Sequence, residues 1–197
     1  MPKKVMISTI YEGNVVPIAV HKLSPDKLIL LEAEDRKETR KDAISKLKEK
    51  YKGIIEVSAF KIPSYDVVKL ASTVASIIDD EYSKGNTIFV HITESRKIQA
   101  IGAMFGAYLR KNKVEGIYYF IQETGEPMKL PLLDMTLSDT KLKMLKGIEK
   151  SGINAKDQAN KLGVHLSLIY ANLKSMQRDG LLDDKLKITE NGRLRMI

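Results

Sequence analysis

The stretch Asn86–Lys111, NTIFVHITESRKIQAIGAMFGAYLRK, decides the fold. Thr87-Ile88-Phe89-Val90-His91-Ile92 is a run of β-branched and aromatic residues long enough for one buried strand. A polar loop, Thr93-Glu94-Ser95-Arg96-Lys97, follows. The chain then continues with Ile98, Ile101, Phe105, Tyr108 and Leu109, apolar at helical spacing. The unit is therefore strand, polar loop, helix. In an open α/β sheet such loops lie at the carboxyl ends of the strands, where ligands bind. The loop leads into a helix N-terminus, whose free N–H groups favour an anion. Arg96 and Lys97 add two cations, and Thr93 and Ser95 two hydroxyls. Every strand-to-helix loop has such a terminus, and Thr, Ser and Glu also serve there as caps. The loop alone therefore leaves capping and ligand binding level. No glycine-rich GxGxxG or Walker pattern accompanies it.

Working outward, the same alternation recurs. Lys4–Ile10 reads as a first buried strand, Tyr11–Asn14 as a turn, and Val15–Leu23 as a short helix with Pro17 in its first turn. Lys27–Glu32 is a second strand. Ala33–Lys52 becomes an amphipathic helix with Ala43, Ile44, Leu47 and Tyr51 inward, its charge run a solvated face. Ile54–Ile62 is a third strand. Ser64 is a candidate cap for a helix over Tyr65–Ser83, with Val68, Ala71, Val74, Ala75 and Ile78 inward. Gly116–Gln122 is a fifth strand and Met128–Leu133 an edge strand bounded by Pro131. Strands alternating with helices give right-handed crossovers and a mostly parallel, three-layer sheet. Gly102, Ala103, Gly106 and Ala107 leave one helix face almost bare, open to a helix of the same chain or of a second subunit.

From Leu137 the pattern changes to short helices: Asp139–Lys150 behind Ser138, Ala155–Leu162 behind Asn154, and Leu166 to Asp179 closed by Gly180. Two short helices joined through Gly163 match a helix-turn-helix. Leu181–Thr189 then reads as a small hairpin. These features divide the chain into residues 1–136 and 137–197.

The 197 residues contain no cysteine, which excludes disulfides, thiolate metal sites and a thiol nucleophile. His21, His91 and His165 share no ligand spacing, so neither a metal nor a cofactor is expected. Glu32, Glu34 and Asp35, after the second strand, carry no assignable role. With no signal peptide and no apolar run approaching a membrane span, the expectation is a soluble cytoplasmic protein without a membrane partner. The net charge is +8. Residues 137–197 hold 12 Lys and Arg against 7 Asp and Glu, while residues 1–136 hold 21 against 18. The surface for a polyanionic partner is therefore expected in the C-terminal part.

Two resemblances sharpen these readings. GVHLSLIYANLKSMQRDGLL, followed closely by KITENGR, resembles the winged helix-turn-helix domain of prokaryotic transcription regulators. That resemblance implies double-stranded DNA as partner and makes the third helix the recognition helix. Ile169, Leu173 and Met176 would then face the core, and Ser167, Tyr170, Ala171, Lys174 and Ser175 the major groove, with Asn172 nearby. The hydroxyls and Lys174 suit phosphates, Asn172 suits adenine, and Lys185 and Lys187 flank a wing tip at Asp183-Asp184.

The N-terminal part has a short polar motif after its first strand, Ser8-Thr9-Ile10-Tyr11, and a second after its fourth, Thr93-Glu94-Ser95-Arg96-Lys97. It resembles the CARF domain of CRISPR-associated proteins. Joined to a winged helix, it is similar to the archaeal CRISPR-associated transcription regulators. The fold implied is α/β, a Rossmann-like, mostly parallel CARF-like sheet followed by a C-terminal winged helix-turn-helix. The resemblance implies a homodimer binding one cyclic oligoadenylate, cyclic tetra-adenylate in the first place, across its two-fold axis. Ser8, Thr9, Ile10, Tyr11, Thr93, Glu94, Ser95, Arg96 and Lys97 become the ligand-binding residues. Two alternatives stay open. One is a metal-independent ring nuclease, with Lys97, Arg96 and Ser8 serving in-line attack by a ribose 2′-hydroxyl. The other is a regulator sensing another nucleotide.

Overall fold

The computed structural model describes residues 1–34 and 38–197, so Asp35 lies outside the described residues, as do Arg36 and Lys37. The chain divides into two compact units, Met1–Asp134 and Met135–Ile197.

In the first unit, six strands form one sheet: β1 (Lys4–Thr9), β2 (Lys27–Ala33), β3 (Glu56–Ile62), β4 (Thr87–His91), β5 (Gly116–Phe120) and β6 (Pro127–Leu130). Their order is β3-β2-β1-β4-β5-β6. The first five run parallel, and β6 pairs antiparallel with β5. The near-continuous burial of β1, β2 and β4 explains their unbroken apolar runs, since central parallel strands are covered on both faces. Edge strand β3 is only partly buried, and β6 ends before Pro131.

The crossover helices are α1 (Val16–Leu23), α2 (Glu38–Lys50), α3 (Val67–Ser83) and α4 (Lys97–Tyr108). One core gathers Met6, Ile10, Val16, Leu28, Ile44, Leu47 and Phe120. Two expectations need correction here. Asp66, rather than Ser64, caps α3; its side chain accepts a bond from the Lys69 N–H at 2.9 Å. On α4 the most buried face is not the stripe of large apolar residues. Gln99, Gly102, Ala103, Gly106 and Ala107 are buried; of the expected stripe only Tyr108 and Leu109 are buried, at its C-terminal end, whereas Ile98 and Phe105 are half-buried and Ile101 is exposed. The reason is close approach to α3. A Cβ at Gly102 would meet Leu70 at 2.7 Å, and one at Gly106 the Ala71 carbonyl oxygen at 2.8 Å. The bare face thus has its partner within the chain.

The second unit contains α5 (Asp139–Ser151), α6 (Ala155–Leu162), α7 (Leu166–Arg178) and a short α8 (Glu190–Arg195). Asn154 caps α6 through the Asp157 N–H, and Gly163, in the left-handed region at φ 65°, turns the chain into α7. Met144, Leu145, Ile148, Ala159, Ile169, Leu173, Met176, Leu181 and Leu182 form its core. The hairpin expected over Leu181–Thr189 narrows to a single antiparallel bridge, Leu182 to Ile188. Asp183 explains this. Its carboxylate accepts the Lys185 and Lys187 N–H groups at 2.9 and 2.7 Å, and Leu186 takes a left-handed φ of 59°. Those N–H groups are then lost to a ladder. Among the described residues, no helix is long and apolar enough to cross a membrane.

Candidate functional site

The sheet order reverses its direction of winding between β1 and β4, and at such a switch point the loops leaving two neighbouring strands part and open a crevice. A cleft of about 440 Å³ lies among those loops. Tyr11, Glu12, Asn14 and Val15 line it from the loop after β1; Thr93, Glu94 and Ser95 line it from the loop after β4; Ile18 and Gln122 complete it. The two polar motifs, some 80 residues apart in sequence, thus meet at one place.

The nine motif residues fall into three groups. Tyr11, Thr93, Glu94 and Ser95 line the cleft. Ser8, Thr9 and Ile10 are buried, and their side chains do not line it. Arg96 and Lys97 also stand outside the lining; the Arg96 guanidinium lies 5.2 Å from the Tyr65 ring centroid, and Lys97 is exposed at the start of α4.

Ser8 and Thr93 are joined through a residue that sequence patterning treats as an isolated histidine. His91, fully buried, places Nδ1 2.8 Å from Ser8 Oγ and Nε2 2.8 Å from Thr93 Oγ1. Ser8 Oγ donates to the Thr9 carbonyl at 2.9 Å, and Thr93 Oγ1 accepts the Phe120 N–H at 2.7 Å. One set of proton positions satisfies every member of this chain. Phe120 N–H donates to Thr93, Thr93 to Nε2, Nδ1–H to Ser8, and Ser8 to the Thr9 carbonyl. The assignment requires a neutral imidazole, and burial holds the His91 pKa down at about 3. The chain ties together β1, β4 and β5 beneath the cleft.

Glu94 closes the other side. Helix α1 has no side-chain cap of its own at Val15. Glu94, 79 residues away, supplies one: its Oε1 accepts the Val15 N–H at 2.7 Å. Burial raises the Glu94 pKa above the ordinary carboxylate value; the N–H groups of Val15, Asn14 and Gly13 oppose that rise, and nearby Glu12 adds to it.

Arg40 was indistinguishable from its charged neighbours in the sequence. It is buried, and it donates from Nε to the Ile10 carbonyl at 3.2 Å and from Nη1 to the Ala33 carbonyl at 3.3 Å. Its guanidinium lies 5.4 Å from the Tyr11 ring centroid, so it braces the ends of β1 and β2 and an aromatic wall of the cleft. Glu12, Asn14, Val15, Ile18 and Gln122 were missed as well. The signal for the first two was the Tyr11–Asn14 turn, which Gly13 permits with φ 80°.

In the second unit, Ser167, Tyr170, Ala171 and Lys174 are exposed on α7 at three- and four-residue steps, opposite buried Ile169, Leu173 and Met176. Asn172 and Ser175 are half-buried. Ser175 is held internally: Lys141 Nζ donates to its Oγ at 2.8 Å, and that Oγ lies 3.2 Å from Asp179 Oδ2. Lys185 and Lys187 are exposed beside the Asp183 turn. Among the described residues, no group of three or more His, Cys, Asp or Glu is placed to hold a metal ion.

A six-stranded, mostly parallel sheet with its cleft at the switch point defines a Rossmann-like α/β domain. The family model described as "HFX_2341_N:-like, N-terminal" matches residues 5–124, and the chain belongs to that family. An uncharacterized protein of Archaeoglobus fulgidus is 21% identical over 166 residues, which cover 78% of this chain and 73% of its own. Csm6 of Enterococcus italicus, solved bound to cyclic hexa-2'-fluoro-hexa-dAMP, aligns with a TM-score of 0.53 at 11% identity, covering 89% of this chain and 55% of that one. Protein VC1899 of Vibrio cholerae aligns with a TM-score of 0.53 at 13% identity, covering 97% and 56%. The chain therefore spans about half the length of these solved structures. At such identities the likeness is one of fold, a Rossmann-like, mostly parallel sheet.

Proposed function

We propose that the chain is a ligand-responsive, DNA-binding transcription regulator of CRISPR-associated genes. Its N-terminal unit senses a cyclic oligoadenylate, cyclic tetra-adenylate in the first place. The observation that carries this reading is the convergence of the motifs after β1 and β4 on one cleft at the switch point. Support comes from the fold shared with Csm6, which was solved with a cyclic adenylate analogue.

The working form in this reading is a homodimer. Half-buried Ile98 and Phe105 with exposed Ile101 give α4 an apolar outer strip beside Lys97, suited to a two-fold contact with the same helix. A cyclic ligand across that axis would meet Arg96 and Lys97 from both chains. Residues Ser8 and Thr9 then act as the frame under the site. The ring-nuclease alternative loses its nucleophile-positioning serine, because Ser8 Oγ is buried and already bonded to His91 and the Thr9 carbonyl.

Residues 137–197 serve in this reading as a winged helix-turn-helix. Ser167, Tyr170, Ala171 and Lys174 meet the major groove, with Asn172 and Ser175 at its margin, and Lys185 and Lys187 on the wing. The ligand controls operator affinity only if the two dimer states bind it unequally.

The test is fluorescence anisotropy of the full chain with a labelled DNA duplex over a salt series, with and without cyclic tetra-adenylate. The reading predicts salt-sensitive binding that changes on adding the ligand. Lys174→Ala and Lys187→Ala are each expected to reduce the slope of log affinity against log salt by about one. Unchanged slopes in both variants, or no binding at low salt, contradict the DNA-binding role.

A further inference from the structure

We propose that Glu94 sets the specificity of the cleft: it accepts a hydrogen bond from a neutral donor on the nucleotide, an exocyclic amine or a ribose hydroxyl, and keeps phosphate out of the cleft. This role rests on the cyclic-oligoadenylate reading given above.

Three observations lead here. First, the anion position at the N-terminus of α1 is already taken. Glu94 Oε1 sits 2.7 Å from the Val15 N–H, where a phosphate oxygen would otherwise be favoured. Second, among the described residues those lining the cleft include two carboxylates, Glu12 and Glu94, and no lysine or arginine. A phosphate entering there would meet like charge at short range in a partly desolvated space. The two cations of the second motif, Arg96 and Lys97, stand outside the lining, so phosphates and cleft are separated.

Third, the other oxygen of Glu94 is left over. The residue is 7% exposed, and its Oε2 is buried with no hydrogen bond of ordinary geometry, although the Asn14 and Gly13 N–H groups lie near enough to act on the carboxylate. A buried acceptor left without a full hydrogen bond is destabilising, because it has given up water and gained nothing in return. The terminal torsion of a glutamate is soft, so the carboxylate plane can turn Oε2 toward the cleft while Oε1 keeps the Val15 N–H. A ligand donor reaching Oε2 removes that penalty, and a group bearing only acceptors does not. Tyr11, backed by Arg40, supplies a ring beside the same space. The arrangement suits a base or sugar edge with an N–H or O–H.

The experiment is calorimetric titration of the full chain and of Glu94→Gln with three ligands: cyclic tetra-adenylate, its inosine counterpart lacking the exocyclic amines, and a 2′-fluoro counterpart lacking the ribose hydroxyls. Glutamine can still accept the Val15 N–H through its oxygen, but it turns a donor toward the cleft, so the variant should remain folded. Cyclic tetra-adenylate is expected to bind Glu94→Gln at least tenfold more weakly than the unmodified chain. One of the two altered ligands should lose a similar factor on the unmodified chain and lose little more on the variant, and which one it is identifies the donor. Equal or tighter binding of cyclic tetra-adenylate by Glu94→Gln overturns the proposal and leaves Glu94 as a cap of α1. Absence of binding by both proteins removes the cyclic-oligoadenylate reading, and this role with it. A variant that fails to melt cooperatively is replaced by Glu94→Asp, whose shortened side chain should lose affinity in the same way; undiminished affinity in that variant overturns the proposal equally.

Discussion

Gly106→Leu is expected to cost the N-terminal unit more than about 3 kcal/mol. A Cβ at this position would lie 2.8 Å from the Ala71 carbonyl oxygen and 2.8 Å from Val74 Cβ. The first of these is backbone of α3 and cannot step aside, so the two helices must separate. Leucine gains about 1 kcal/mol in helix propensity over glycine, which does not offset forcing a branched side chain between packed backbones. Ile101, one turn away on the outer side, is 39% exposed, so Ile101→Ala should cost the isolated chain less than about 1 kcal/mol. Scanning calorimetry of the full chain separates the two cases. The transition of the larger unit should fall by about 10 °C for Gly106→Leu and by only a few degrees for Ile101→Ala. The reverse order would mean that α4 packs through its large residues.

A second large effect is expected from acid. His91 is neutral in the folded chain, its pKa held at about 3 by burial, whereas an exposed histidine titrates near 6.5. The unfolded chain therefore binds one more proton than the folded chain between those values. Stability is full above about pH 6.5 and falls with each step below it, by up to about 1.4 kcal/mol per pH unit. Protonating Nε2 in place would also leave the Thr93 hydroxyl without its acceptor. Lower in the pH range, carboxylates held below their usual values by cations add to the loss. Asp79 is paired with Lys113 and Arg110, and Glu81 with Lys84 and Lys27; both pairings outweigh burial, which acts the other way. Glu94 has the opposite sign, because a carboxyl raised by burial favours the folded state as it takes up its proton. The window between about pH 6.5 and 4.5 belongs mainly to His91. Urea titrations across it should show the slope in the unmodified chain and a flatter line in His91→Gln, with lower stability at neutral pH for the broken bond to Ser8. The same slope in both proteins would assign the acid sensitivity elsewhere.

The elements that were legible in the sequence share one property: their burial is uniform along the chain. Central strands such as β2 bury both faces, so Lys27–Ala33 reads as an apolar run whatever its neighbours are. The α7 stripe of Ile169, Leu173 and Met176 was legible because one face is buried and the other wet. Helix α4 breaks that condition. Its closest contact is made by glycine and alanine, which carry no hydrophobic signal, so the large residues on the other side dominate the pattern. The place of the candidate site was also legible, because polar loops after β1 and β4 must lie at the carboxyl edge of a parallel sheet. The roles within it were not. Glu94 caps a helix that begins 78 residues before it, and Arg40 reaches across from α2 to carbonyls at the ends of two strands. Both depend on contacts that no local spacing encodes. Asp183 shows the same limit in the second unit, where a carboxylate gathering two N–H groups replaces the expected ladder.

Calorimetric titration of the full chain with cyclic tetra-adenylate, with the ligand's integrity followed by chromatography in the same samples, tests the central claim most directly. Binding of one intact ligand per two chains is the predicted result, with Lys97→Ala folded and dimeric but much weaker in affinity. No binding by the unmodified chain would contradict the account of the cleft as a cyclic-oligoadenylate sensor.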